Sequence, residues 1–285
     1  LRPRDLDILR LMGEGLTNRE IGERLYISGE TVKGYAKEIY SKLDVHNRME
    51  AVNRARELGL LDDNPKEKQL VEPISHNLPP QITPFIGRDK ELLRLSRLLA
   101  DKDSRLTTIV GAGGMGKTRL ALEMARQTID SPYVMRRLEG IYFVNLAPLT
   151  DPLNIVSTIA DSLDLQLQQD NRSLKQQLLD YLQESKLLLL LDNCEHLLDG
   201  MDIVADILKT APDVIILATS RETLGVRGET IFTLRGMPTN QLQSMDEAQK
   251  NDAVQLFVQS ARRVQSKFTL SEANLSDVNH ICELI

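Results

Sequence analysis

The sequence predicts a small all-α domain of four helices, followed by an α/β domain built on a parallel sheet with helices on both faces. Three observations predict it. Residues 1–61 place their apolar side chains at helical spacing and nowhere alternate with period two. From residue 106 onward, short apolar runs at 106–110, 141–145, 186–191 and 214–219 are separated by amphipathic stretches, the pattern of strands buried on both faces. Between the first run and the helix after it lies GAGGMGKT (residues 111–118), a glycine-rich turn.

Composition narrows the class. A chain of 285 residues can bury two separate cores, and 41% hydrophobic with 27% charged residues is ordinary for a soluble protein. The longest apolar run, 187–191, is far shorter than the ~20 residues of a membrane span, and no basic-then-apolar start marks a secretory signal. Cys194 and Cys282 are far apart, with no metal-ligand spacing and no disulfide framework. A cytoplasmic location without membrane contact is expected. Residues 1–61 hold eight Arg and three Lys against seven Glu and three Asp, a net of +1 beside −6 for the whole chain. That is too even for charge alone to announce a nucleic-acid partner. The chain opens on Leu1 and ends at Ile285 within a helical pattern, so a fragment at both ends is expected.

In the first segment, helices are expected at about 3–13, 18–25, 29–43 and 47–58. Thr17-Asn18-Arg19-Glu20 is a capping box for the second helix, and Ser28 is a good N-cap for the third. A short helix, a tight connection through Tyr26 and Ile27, and a second capped helix follow helix-turn-helix grammar. On the third helix Val32, Ala36, Ile39 and Leu43 face the core, which leaves Glu30, Lys33, Gly34, Lys37 and Ser41 outward. Two lysines one turn apart suit phosphate and guanine contacts in a major groove, although on those residues alone a solvated surface, the usual place of helix lysines, is the stronger reading.

The run LTNREIGERLYISGETVKGYAKEIYSKLDVHNRMEAVNRARELGLL, through LTNREI, TVK, KLDV and NRMEA, resembles the LuxR-type helix-turn-helix DNA-binding domain of bacterial transcription regulators. The resemblance implies that the third helix meets double-stranded DNA through Thr31, Lys33, Gly34 and Lys37, with Thr17 and Ser28 at the flanking helix starts, and that the fourth helix supports dimerisation. Two departures stand out. Leu1-Arg2-Pro3-Arg4-Asp5 replaces the family's usual L-T-x-R-E and loses a Thr cap, and Gly34 weakens the third helix by about 1 kcal/mol.

Residues 62–83 include Pro65, Pro73, Pro79 and Pro80 without periodicity and are expected to be an extended, semi-rigid connector. The α/β domain is expected over 84–235, with a helical subdomain starting over 236–285. Gly111, Gly116, Lys117 and Thr118 satisfy G-x-x-x-x-G-K-[ST], which makes this domain a P-loop NTPase by pattern. The turn from Gly111 through Ala112, Gly113, Gly114 and Met115 to Gly116 offers backbone N–H groups to the phosphates of ATP or ADP. Lys117 reaches the β/γ-phosphates, the Thr118 hydroxyl ligates Mg²⁺, and Arg119 lies on the first turn of the helix.

LLLLLD at 187–192 reads as a central strand delivering Asp192 beside the cradle, where it can hold Mg²⁺ through water. An apolar strand ending in Asp is by itself usually structural. Asn193 stands where many hydrolysing relatives carry a second carboxylate, and Glu195 is a weaker substitute as general base. Slow or absent turnover is therefore expected. Thr219, Ser220 and Arg221 end the last strand with groups able to bind a γ-phosphate, or simply to cap a helix.

FIGRDKELLRL, GAGGMGKTRLALEMA, IYFVNLAPLTDP, LLLLLDNCEHL, ILATSRE and DAVQLFVQSAR occur in that order and resemble the NB-ARC-like branch of STAND ATPases. That resemblance implies an ATP/ADP switch with Gly87 and Arg88 near the nucleotide and Arg221 as its sensor. It also implies self-association in the ATP state and an inducer or protein signal read by a region beyond Ile285. The expected function is a transcription regulator in which nucleotide state controls oligomerisation and DNA binding. The second reading is a nucleotide-binding regulatory scaffold without significant hydrolysis. A kinase is disfavoured because no acceptor lid is evident.

Overall fold

The computed structural model describes residues 1–13, 15–61, 74–130, 138–166, 171–239 and 244–284. The described chain separates into two compact units, one of residues 1–76 with 125–141, the other of residues 77–124 with 142–285.

The first unit opens with four helices, α1 (Pro3–Gly13), α2 (Asn18–Leu25), α3 (Gly29–Leu43) and α4 (Arg48–Glu57). Their starts are fixed by side chains. Thr17 and Glu20 close the predicted capping box on α2, and Ser28 accepts from the Thr31 N–H at 3.0 Å to start α3. Tyr26 turns the chain between α2 and α3 in the left-handed region, φ 54°. The core joins Ile8, Leu9 and Met12 of α1 to Ile21, Val32, Ile39 and Ala51. The unusual opening has a use of its own. The buried Asp5 carboxylate accepts from the Arg2 N–H at 2.8 Å and pairs with Lys42 of α3 at 2.7 Å.

The expected connector is not featureless. Ser75–His76 forms a short strand, β1, paired in parallel with the opening of β3 (Gly140–Asn145). Two residues at a sheet edge need no periodicity, so nothing in the sequence announces them. Residues 62–73 of that connector lie outside the described residues.

The second unit carries α5 (Asp89–Ala100), β2 (Leu106–Val110), the start of α6 (Lys117–Asp130), α7 (Ile155–Ser162), α8 (Leu174–Gln183), β4 (Leu187–Asp192), α9 (Asp202–Thr210), β5 (Ile215–Ser220) and β6 (Glu229–Thr233). The six strands stand in the order β1-β3-β4-β5-β2-β6 in a parallel sheet. All of β4 is buried, and Leu189, Leu191, Ile216 and Ala218 share one core with Ile159 of α7, Leu182 of α8 and Val204 of α9. Near-continuous apolarity follows from burial on both faces.

Two elements differ from the sequence pattern. A helix is expected from residue 196, yet two short 3-10 turns, Cys194–His196 and Leu198–Gly200, precede α9. Asn193, left-handed at φ 70°, turns the chain out of β4 ahead of them. The unexpected β6 is a half-buried edge strand with only Phe232 fully enclosed, beneath the Arg94 guanidinium at 5.0 Å.

After β6 come α10 (Met245–Lys250), α11 (Asp252–Val264) and α12 (Glu272–Leu284) around Ala248, Val254 and Val278. Phe257 and Phe268 meet edge to face at 5.9 Å. Among the described residues no helix is long and apolar enough to cross a membrane.

Candidate nucleotide-binding site

The glycine-rich turn leaves β2 beside the end of β5, where the Gly111 N–H donates to the Ser220 carbonyl at 3.3 Å. A Cβ on Gly111 would stand 2.6 Å from the Leu234 carbonyl oxygen, so only glycine fits against that backbone. Gly114 and Gly116 adopt φ +79° and +83°, which bend the exposed crest through Ala112 and Gly113 back into α6. Lys117 opens the helix and is buried. Its ammonium donates to the Gly111 and Ala112 carbonyls at 2.8 and 3.0 Å and so lies folded across the turn.

Asp192 ends β4 and is brought to the same helix start. Its Oδ1 accepts from Thr118 Oγ1 and from Thr219 Oγ1, each at 2.6 Å, the short range of hydroxyl donation to a carboxylate. Thr219 Oγ1 also accepts from the Asn193 N–H at 3.0 Å. Thr219 and Ser220 are buried, and Thr219 is committed to Asp192, which removes it from the γ-phosphate groups expected from sequence. Arg221 alone remains exposed there.

A hydroxyl and a carboxylate in direct contact are hard oxygen donors that fit Mg²⁺. Among the described residues no group of three or more His, Cys, Asp or Glu could hold a metal ion. A Mg²⁺ here would therefore rely on phosphate and water oxygens for the rest of its coordination.

Arg221 follows β5. Its Nε pairs with Glu195 Oε1 at 3.0 Å, and its Nη2 lies 3.8 Å from where a Cβ on Gly113 would sit. Glu195 is only 13% exposed, and its Oε2 is buried without a hydrogen-bond partner among the described residues. The turn that presents Glu195 also encloses Cys194, whose thiol is pushed up by burial and by the neighbouring Asp192 carboxylate, leaving it protonated and inert.

The remaining residues expected at the nucleotide serve the walls of the site. Arg88 is buried, donating to the Arg235 carbonyl at 2.7 Å and to the Met115 carbonyl at 3.3 Å, so it braces the turn from behind. Gly87 lies against Asp252, whose carboxylate a Cβ would strike at 2.3 Å. Arg119 donates to the Thr83 and Pro84 carbonyls and anchors the segment that leads to Phe85.

A cavity of about 400 Å³ borders the turn at Gly114, Met115 and Gly116. Its apolar lining includes Phe85, Ile86, Met237, Leu256 and Phe257. Sequence reasoning did not place these residues at the site: Phe85 and Ile86 fall in FIGRDKELLRL and Leu256 and Phe257 in DAVQLFVQSAR, but neither run announces that they meet Met237 beside the turn. The signal available was the apolar stripe of α11.

In the helical unit, Thr31, Lys33, Gly34 and Lys37 are all exposed on α3. Thr17 and Ser28 are spent on caps, since Thr17 Oγ1 donates to Glu20 at 2.8 Å and Ser28 Oγ contacts Thr31 Oγ1 at 2.8 Å. Backbone and hydroxyl donation from Thr17 hold the Glu20 carboxyl below its ordinary range. Lys33 is in loose contact with Glu30 at 3.4 Å.

Comparison with known proteins follows this division. Residues 1–55 match the bacterial regulatory proteins of the luxR family, and residues 100–245 match the AAA domain. A Mycobacterium tuberculosis protein named as an HTH-type transcriptional regulator is 37% identical over 180 residues, 63% of this chain and 18% of that protein. A second Mycobacterium tuberculosis protein is 36% identical over 210 residues, 73% of this chain and 49% of its own length. The chain thus spans less than half the length of either relative. The Aeropyrum pernix ORC1 protein, solved in complex with DNA, superposes with a TM-score of 0.44 at 20% identity, over 63% of this chain and 56% of that one. The chain belongs to the AAA-domain family and carries a luxR-family helix-turn-helix segment ahead of that domain.

Proposed function

We propose that this protein is a cytoplasmic transcription regulator of the STAND class, in which ATP or ADP at the cradle governs self-association and hence DNA binding. One observation carries the nucleotide half of the reading. Asp192, 74 residues further along the chain than Thr118, converges with Lys117 and Thr118 on one glycine-rich turn through contacts of 2.6 to 3.0 Å. Backbone N–H groups of residues 112–118 would bind the α- and β-phosphates, with the Lys117 ammonium exchanging its carbonyl partners for phosphate oxygens. Thr118 and Asp192 would hold Mg²⁺, which neutralises phosphate charge when bound. The apolar cavity beside Met115 suits the base and sugar.

The DNA half rests on the exposed α3 face and on the luxR-family match of residues 1–55. A near-neutral helical domain binds weakly alone. Self-association driven by ATP would supply avidity through several such domains without new contacts. The inducing signal is assigned to sequence outside this chain.

A second reading, binding without turnover, is favoured by Asn193 and by the engagement of Glu195 with Arg221. Phosphate release that disappears in Asp192→Ala would exclude it.

The test is calorimetric titration of ATP and ADP into the chain and its Lys117→Ala variant, with sedimentation in each nucleotide. The expected result is loss of both nucleotides in the variant and a larger species with ATP. Unchanged nucleotide affinity in Lys117→Ala would overturn the cradle, and identical sedimentation with ATP and ADP would overturn the switch.

A further inference from the structure

We propose that Glu195 sets the nucleotide specificity of the cradle by competing with a γ-phosphate for Arg221. The proposal rests on the reading of this site as an ATP/ADP cradle and identifies what separates the two nucleotides.

Arg221 stands between two anion positions. On one side its Nε already meets Glu195 Oε1 at 3.0 Å. On the other, its Nη2 lies 3.8 Å from the Cβ position of Gly113, on the crest of the phosphate turn. A guanidinium has five donors in a rigid plane, so one arginine cannot present its Nε edge to a carboxylate and the same edge to a phosphate. The Nη1–Nη2 edge could meet a phosphate with Glu195 still in place, and in that arrangement Glu195→Gln would lower the affinity for a triphosphate; taking up a γ-phosphate through the Nε–Nη2 edge means leaving Glu195.

Leaving has a consequence for the carboxylate. Glu195 is 13% exposed, and its Oε2 is buried without a hydrogen-bond partner among the described residues, so the contact through Oε1 is the charge compensation that those residues give it. Removing the arginine strands a nearly buried negative charge, which is strongly unfavourable until water enters. Arg221 is two-thirds exposed and can swing, whereas Glu195 is fixed by the 3-10 turn Cys194–His196. The exchange therefore proceeds only when a comparably strong anion is offered. ATP offers one, and ADP ends at its β-phosphate and offers none at that place.

Glu195 is thus a specificity-determining residue that acts through Arg221. It lowers the affinity for the triphosphate, leaves the diphosphate alone, and makes the position of Arg221 two-state. A Glu195 that served only to hold its turn in shape would affect both nucleotides alike and would not depend on Arg221.

The experiment measures affinities of the 285-residue chain for ADP and for the non-hydrolysable β,γ-imido analogue of ATP, each with Mg²⁺. Variants are Glu195→Gln, Arg221→Ala and the double substitution. Glu195→Gln keeps the side-chain shape, and ADP affinity reports whether it is folded. The expected result is analogue affinity raised about fivefold in Glu195→Gln with ADP affinity unchanged. Arg221→Ala is expected to weaken the analogue selectively, and the double variant to match Arg221→Ala. An equal shift for both nucleotides, a fall in analogue affinity, or a Glu195 effect that survives without Arg221 would overturn the proposal. Binding of both nucleotides with an unchanged ratio in Glu195→Gln sinks this proposal alone. If the unmodified chain binds neither nucleotide, it falls together with the cradle.

Discussion

Thr118 Oγ1 donates to Asp192 Oδ1 at 2.6 Å, tying the first turn of α6 to the end of the central strand. Thr219 shares the same carboxylate oxygen. Asp192→Asn keeps an oxygen there to accept both hydroxyls but removes the charge. Its expected effect is therefore on metal rather than on fold. The gain in ATP affinity on adding Mg²⁺ should shrink by about 10- to 100-fold, the usual consequence of losing an outer-sphere partner, while metal-free binding persists. Titration with and without chelator reads it, and an unaltered Mg²⁺ response would remove Asp192 from the metal site.

Gly111 and Gly113 make a paired test of the turn. A Cβ at Gly111 would meet backbone, the Leu234 carbonyl at 2.6 Å, whereas at Gly113 the nearest atoms are those of the Arg221 side chain at 3.8 and 3.9 Å. Gly111→Ala should lose about 1–3 kcal/mol because the end of β2 must move away from the chain after β6. Gly113→Ala should stay within ~0.5 kcal/mol. Urea denaturation followed by circular dichroism decides it. Equal losses would mean that the turn is uniformly tight.

What could be read from sequence was what repeats locally. The apolar strand, glycine turn and helix around Lys117 are contiguous, so the cradle was visible, and β4 announced Asp192 because burial on both faces demands five leucines in a row. The caps at Thr17 and Ser28 were visible for the same reason. The link between Arg221 and Glu195 was not. It depends on the left-handed turn at Asn193 and on the 3-10 turn Cys194–His196 after it, neither of which has a periodic pattern in the sequence. Nor was the role of Thr219, since a hydroxyl at a strand end can face ligand or neighbour equally well. The cavity residues Phe85, Met237 and Phe257 meet only through the tertiary fold.

Asp5 and Lys42 give the helical domain a pH dependence. Burial alone would raise the Asp5 carboxyl, but the Lys42 ammonium and the Arg2 backbone N–H outweigh it and hold the group below its ordinary range. A carboxyl depressed in the folded state contributes stability that is present above its unfolded pKa of about 3.9 and is lost as pH falls through the folded value. Lys42→Met should therefore weaken the domain by about 2 kcal/mol at pH 7 and reduce its sensitivity to acid, so that variant and parent converge at low pH. Hydrogen exchange of α1 and α3 amides in the full chain follows this domain specifically. A constant difference between variant and parent at every pH would show that the pair contributes by packing alone.

Lys33 and Lys37 are exposed one turn apart on α3, and among the described residues Lys33 has the 3.4 Å contact with Glu30 to leave when a phosphate arrives. An exposed pair of that length holds it by well under 1 kcal/mol, so the DNA backbone wins the exchange easily. If both lysines meet phosphates, Lys33→Ala with Lys37→Ala releases about two fewer counterions on binding. The slope of log affinity against log salt should then flatten by about 2, with affinity lower throughout the low-salt range. If one of them reads a base edge instead, the slope should change by about 1 and the discrimination between sequences should relax. Fluorescence anisotropy of the ATP-loaded chain on duplex DNA, repeated across a salt series, separates these outcomes. Salt slopes identical to those of the parent would show that the α3 face does not meet DNA.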